Sequence, residues 1–140
     1  MASVVTSLRQ RVDPAPVTAA VALGDLLCIV VFVTVGAKYG HGIDPVTNTA
    51  RVGSTVATFS IGWVIASVAA GAYSQSATQS MTIGVRRTVL AWCAGAIVAQ
   101  VLRGTAFFPG NASVSFFLVS VAVGLALLVP WRVATTTLAQ

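Results

Sequence analysis

The residue with the most chemical consequence is Asp25, an acid set in the middle of a long apolar run. An ionised carboxylate at membrane depth costs at least about 2.5–3.5 kcal/mol, so it must face a helix interior, a partner or water. Without a cation beside it, such a group would spend part of its time protonated, as a proton-relay carboxyl does. The plainer alternative is a hydrogen-bonded packing acid that sets helix register. Counted at about 1.5 Å of rise per residue from the inner helix ends, Asp25 lies roughly 12 Å deep. That level matches Trp63, Ser67 and Ser120 on other spans. The expected intramembrane polar site is therefore Asp25 with the Trp63 indole N–H and the hydroxyls of Ser67 and Ser120. Arg103 ranks second as a partner, because it would have to reach inward from the opposite interface.

A second constellation falls between the first two apolar runs: Lys38, Tyr39, His41, Asp44 and Arg51. His41 and Asp44 are too few and too loosely spaced for a metal site. A lone histidine beside glycines is ordinarily a loop residue. The functional alternative is a polar outer mouth made of Lys38, His41 and Arg51, extended inward by Gln100 and Arg103, which share a helix face at i, i+3 spacing. Cys28 and Cys93 lie in apolar runs without CxxC spacing and read as small buried hydrophobes. One His, no Glu, no Gly-x-Ser-x-Gly elbow, no glycine-rich phosphate loop and no HExxH pair leave no catalytic, metal or cofactor assignment. The expectation is that the chain is not an enzyme.

The elements that must position these residues follow from composition. The chain has 140 residues, 56% hydrophobic and 8% charged, against about 45–50% and about 25% in soluble domains. Three acids (Asp13, Asp25, Asp44) and eight basic residues cannot give it a water-soluble surface, which excludes a soluble enzyme. Disorder is excluded as well, since it needs low hydrophobicity. The net charge of +5 does not indicate nucleic acid, because the basic residues are scattered singly or in pairs between apolar runs.

Spans of about 20 apolar residues are expected at about 16–38, 49–73, 86–108 and 112–131, within a domain covering 16–132. Gly40-His41-Gly42 with Pro45, the 74–80 segment and Pro109-Gly110-Asn111 separate them. Residues 1–15 and 133–140 read as tails. Val35-Gly36-Ala37 resembles a signal-peptidase site, but the preceding run exceeds the about 7–15 residues of a signal h-region. Arg9, Arg11, Arg86, Arg87 and Arg132 on one side outnumber Lys38, Arg51 and Arg103 on the other, which favours cytoplasmic termini. Tyr39, Tyr73, Phe107, Phe108 and Trp131 fall near the expected interfaces. Asn111-Ala112-Ser113 is a glycosylation triplet too close to the bilayer to be used. The expected fold is all-α: an integral membrane four-helix bundle with antiparallel up-down topology, multi-pass in the cell membrane.

Membrane helices associate through close packing and hydrogen bonds, because lipid tails are as apolar as leucine. Gly62, Ala66 and Ala70 form one small-residue ridge, beside a polar stripe of Ser60, Ser67 and Ser74. Ala91, Gly95 and Ala99 form another, and Ser120 and Gly124 a third. These ridges suit a compact bundle, and equally a homo-oligomer seam.

The order of features resembles an uncharacterised prokaryotic family of small four-helix membrane proteins, a domain of unknown function common in salt-adapted archaea. The resemblance rests on Gly24-Asp25, the Gly36, Lys38 and His41 region, and Thr58-Phe59-x-x-Gly62-Trp63. It continues through Arg86 to Trp92, Leu102-Arg103 and Trp131-Arg132. Thr58 stands where members often carry proline, and Lys38-Tyr39-Gly40-His41 departs from their Arg-x-Ser-His loop. The resemblance implies fold and membrane location without a mechanism. Two functions follow from the residues: a small transporter, channel or proton-linked permease using Asp25, or an accessory subunit packed on a larger membrane protein. The expected partners are the lipid bilayer and either a second copy or another membrane protein, not nucleic acid. The absence of an internal repeat counts against a carrier built from duplicated halves.

Overall fold

The computed structural model describes residues 2–40, 42–105 and 114–139. His41, Phe107, Phe108 and the Asn111-Ala112-Ser113 triplet lie outside the described residues. Among those described, the helices are α1 (Ala2–Arg11), α2 (Pro16–Val35), α3 (Thr49–Ala70), α4 (Gln75–Gln79), α5 (Met81–Arg103) and α6 (Val114–Ala139). Four of them are long and apolar enough to cross a membrane: α2 with its π-helical extension Gly36–Gly40, α3, α5 and α6. Among the described residues the named elements are all helical, and four spans of this length and apolarity make the chain a multi-pass membrane protein.

Local chemistry sets the boundaries. Pro16 opens α2, where its missing N–H is no loss. Gly71 ends α3 in the left-handed conformation, with φ 72°, which glycine adopts without a Cβ penalty. Ser74 caps α4 by accepting the Ala77 N–H at 3.3 Å, and Ser80 caps α5 by accepting the Ile83 N–H at 3.4 Å.

Several boundaries differ from expectation, the second span ending at Ala70 and the third at Arg103 among them. The segment expected as an N-terminal tail contains α1, and its exit is tied down: Arg11 donates to the Ala69 carbonyl and the Asp13 N–H to the Tyr73 carbonyl at 2.8 Å. The third span begins at Met81 instead of near 86, because Ser80 supplies a cap that a count of apolar residues does not register. The fourth does not stop at Trp131 but continues through Pro130 to Ala139. Proline removes one helical N–H, yet packing holds the following turns in place. The Trp131 indole donates to the Val21 carbonyl at 3.2 Å, while Thr136 and Thr137 donate back to the Arg132 and Val133 carbonyls.

Close approach of small residues organises the packing, as the ridges suggest. Gly62 on α3 faces Gly95 on α5 so tightly that a Cβ at Gly62 would collide with the Gly95 carbonyl oxygen. Gly24 on α2 seats the Trp131 ring, and Gly124 on α6 seats the Trp92 ring. The Trp92 indole donates to the Ser120 carbonyl at 2.9 Å, joining α5 to α6. Phe32, Phe59, Trp63, Trp92 and Phe116 then form a continuous aromatic layer, with neighbouring ring centroids 5.1 to 6.2 Å apart. Phe59, Trp63 and Trp92 are fully buried in it.

Candidate functional site: a buried ion pair and an arginine-lined cavity

On one side of the aromatic layer lies the acid. Asp25 stands nine residues beyond Pro16 on α2, and Arg132 seven residues before Ala139 on α6. At about 1.5 Å per residue these are similar depths, roughly 13 and 10 Å from their helix ends. Both side chains are buried, at 0% and 1% exposure. Arg132 Nη2 meets Asp25 Oδ2 at 2.7 Å and Nε meets Oδ1 at 3.3 Å, a two-point side-on pair. The Tyr73 hydroxyl donates to the same Oδ2 at 2.6 Å and accepts the Trp63 indole N–H at 2.7 Å. Arg132 Nη1 donates to the Ala72 carbonyl at 2.8 Å, and its guanidinium carbon lies 4.9 Å from the Tyr73 ring centroid. Charge-assisted, two-point bonding of this kind offsets the desolvation that burial imposes on each ion.

The network corrects the expected partners of Asp25. Trp63 serves it at one remove, through Tyr73. Ser67 donates instead to the Val64 carbonyl at 3.3 Å, and Ser120 to the Phe116 carbonyl at 2.6 Å. Both hydroxyls fall back on their own helix carbonyls, the local bond open to any helical serine. Arg103 does not reach Asp25. Arg132 and Tyr73 do, although their positions suggested an end charge and an interface aromatic. No local signal marked Arg132, because its place depends on α6 continuing past Pro130, which Trp131 secures by packing over Gly24.

On the other side of the layer, a half-enclosed cavity of about 610 Å³ lies between the end of α2, the start of α3, the end of α5 and the start of α6. Ligand pockets run from about 300 to 1,000 Å³. Phe32, Val33, Val52, Phe116 and Val119 form apolar walls, and Arg51 and Arg103 supply charge. Arg103 sits on the Phe116 ring at 4.2 Å from its centroid, and its buried Nε has no hydrogen-bond partner among the described residues. Neither arginine pairs with a carboxylate among the described residues, where the ion pair is Asp25 with Arg132. Of the expected outer mouth, Arg51 and Arg103 therefore come together. Lys38 is exposed and leans over the Tyr39 ring, 5.4 Å from its centroid; Gln100 lies one turn before Arg103 and does not line the cavity. His41 is outside the described residues.

A family model described as "Protein of unknown function (DUF3054)" matches residues 22–135. The matched stretch contains Asp25, Tyr73, Arg132 and both cavity arginines. No curated protein matches the chain, and no solved structure does.

Proposed function

Because the chain belongs to that family of unknown function, we propose from its geometry that it is a carrier in the cell membrane, not an enzyme, moving an anion together with a proton that binds Asp25. The observation that carries this reading is the placement of cationic stations on both faces of one aromatic layer. Arg51 and Arg103 line the cavity face. Arg132 lies beyond it and is neutralised by Asp25. A proton on Asp25 removes that neutralisation and leaves a buried guanidinium in need of another anion. An anion that passes the aromatic rings meets this need, and its departure returns Arg132 to Asp25 with release of the proton. One anion and one proton move together, so the cycle is electroneutral.

The test uses proteoliposomes loaded with the pH dye pyranine and given inward gradients of chloride, phosphate, methanesulfonate or octanesulfonate. At least one anion should acidify the lumen. That acidification should be lost in Arg103→Gln and in the paired variant Asp25→Asn with Arg132→Gln, both folded by circular dichroism. No acidification above empty liposomes with any of the four would end the carrier reading.

A second reading has its own observation. A shallow groove of about 540 Å³ between α2 and α3, lined by Leu26, Val30, Val56, Ile61, Val64 and Ile65, is almost wholly apolar. It suits the accessory-subunit role, with a helix of another membrane protein laid along it. Native mass spectrometry from the source membrane separates the two, since a stoichiometric complex with a larger protein would favour the accessory role.

A further inference from the structure

We infer that the ligand of the arginine-lined cavity is a single-chain anionic amphiphile, its headgroup held by Arg51 and Arg103 and its tail lying along α6 toward Val123. The inference deepens the carrier reading and rests on it for the claim that the bound molecule is cargo. Binding itself is measured without any flux.

Polarity is graded along the cavity. Arg51 is near the start of α3, Arg103 ends α5 and Ser115 is near the start of α6, so the polar groups gather at one end. Phe32, Val33, Val119 and Val123 line the remainder. From Ser115 to Val123 the wall runs eight residues of α6, or about 12 Å, long enough for an extended alkyl tail. A free inorganic anion would satisfy the arginines but leave this wall unused. A neutral lipid would leave two guanidinium groups without a counter-ion. Among the described residues the buried Nε of Arg103 has no partner and is a donor still to be satisfied, and an unmet buried donor is costly.

The entrance fits the same ligand. Contacts between α2 and α6 lie toward the ion-pair end, where Trp131 meets Val21 and Cys28 meets Leu127. Toward the cavity end, Val35, Val119 and Val123 on the rim are 45%, 57% and 37% exposed. In a spanning protein this rim faces lipid, so a tail enters from the bilayer while the headgroup stays at the interface beside the arginines.

The experiment is native mass spectrometry of the full chain released from phosphatidylcholine nanodiscs equilibrated with decyl phosphate. One adduct per chain that saturates is expected. Decyltrimethylammonium, with the same tail and opposite charge, and inorganic phosphate, with the headgroup alone, should each bind at least about tenfold more weakly, since the site needs both charge pairing and apolar contact. Arg51→Gln with Arg103→Gln should weaken decyl phosphate to a similar degree. Val119→Trp, which fills the cavity from its exposed rim and leaves both arginines in place, should do so too. Equal binding of the cationic amphiphile, or undiminished binding by the arginine and Val119 variants, would overturn the assignment. Preferential retention of phosphatidylglycerol would overturn its single-chain part, identifying a two-chain bilayer lipid instead. Binding without flux would leave the site standing and remove its role as a cargo site. Flux of chloride without decyl phosphate binding would do the reverse.

Discussion

Arg132→Gln is expected to destabilise the protein by about 3–5 kcal/mol, the usual cost of leaving one member of a buried ion pair unpartnered. The loss has two parts. Asp25 would keep only the Tyr73 hydroxyl, and the Ala72 carbonyl would lose its 2.8 Å donor. Asp25→Asn should cost a similar amount, because it strands the guanidinium instead. The paired variant Asp25→Asn with Arg132→Gln should recover most of either loss, since two neutral amides in contact carry no buried net charge. Reversible unfolding in mixed micelles, run as a double-mutant cycle, reads this directly. Additive single losses in the paired variant would mean that the two residues do not act as a pair.

Gly62→Leu is expected to cost at least about 1–3 kcal/mol, the range for overpacking a filled interior. The obstruction there is backbone, not a movable side chain: the Gly95 carbonyl lies where the new Cβ must go, and a Cβ at Gly95 would itself meet the Gly62 carbonyl oxygen at 3.1 Å. The α3–α5 interface would have to separate. The control is Gly53→Leu on the same helix, where nothing lies within 4 Å of an added Cβ. It should be neutral or mildly stabilising, since leucine is the better helix former by somewhat under 1 kcal/mol. Equal effects of the two substitutions would show that helix propensity, not close approach, governs this face.

Membrane character and the four apolar helices were legible in the sequence because both depend on composition over windows of about 20 residues, which hydrophobicity alone specifies. The Gly62 and Gly95 ridges were legible for a related reason: small residues at helical spacing are useful only where backbones meet. The importance of Asp25 was legible because an acid at membrane depth must be accommodated. Its partner was not. Finding Arg132 requires knowing that α6 continues past Pro130, and that depends on Trp131 packing over Gly24, a contact between positions more than a hundred residues apart. Tyr73 was missed for a different reason. It follows the left-handed Gly71 that turns the chain, and its backbone is held by the Asp13 N–H, so its ring enters the interior although its sequence position suggests an interface. In the mouth, the helix-borne Arg51 and Arg103 line one cavity because helix ends are fixed by the packing below them. Lys38, on the π-helical extension, is exposed over the Tyr39 ring and does not itself line the cavity.

The central claim is that an anion crossing the aromatic layer takes Arg132 while a proton takes Asp25. With three carboxylate side chains and no Glu in the chain, infrared difference spectroscopy can observe that proton against a nearly empty background. Spectra of the reconstituted protein with and without octanesulfonate should differ by the carbonyl stretch of a protonated carboxylic acid. That band should be absent from the folded paired variant Asp25→Asn with Arg132→Gln. Lumenal acidification driven by octanesulfonate with no such band, or with an identical band in the paired variant, would contradict the claim and return Asp25 and Arg132 to a purely structural role.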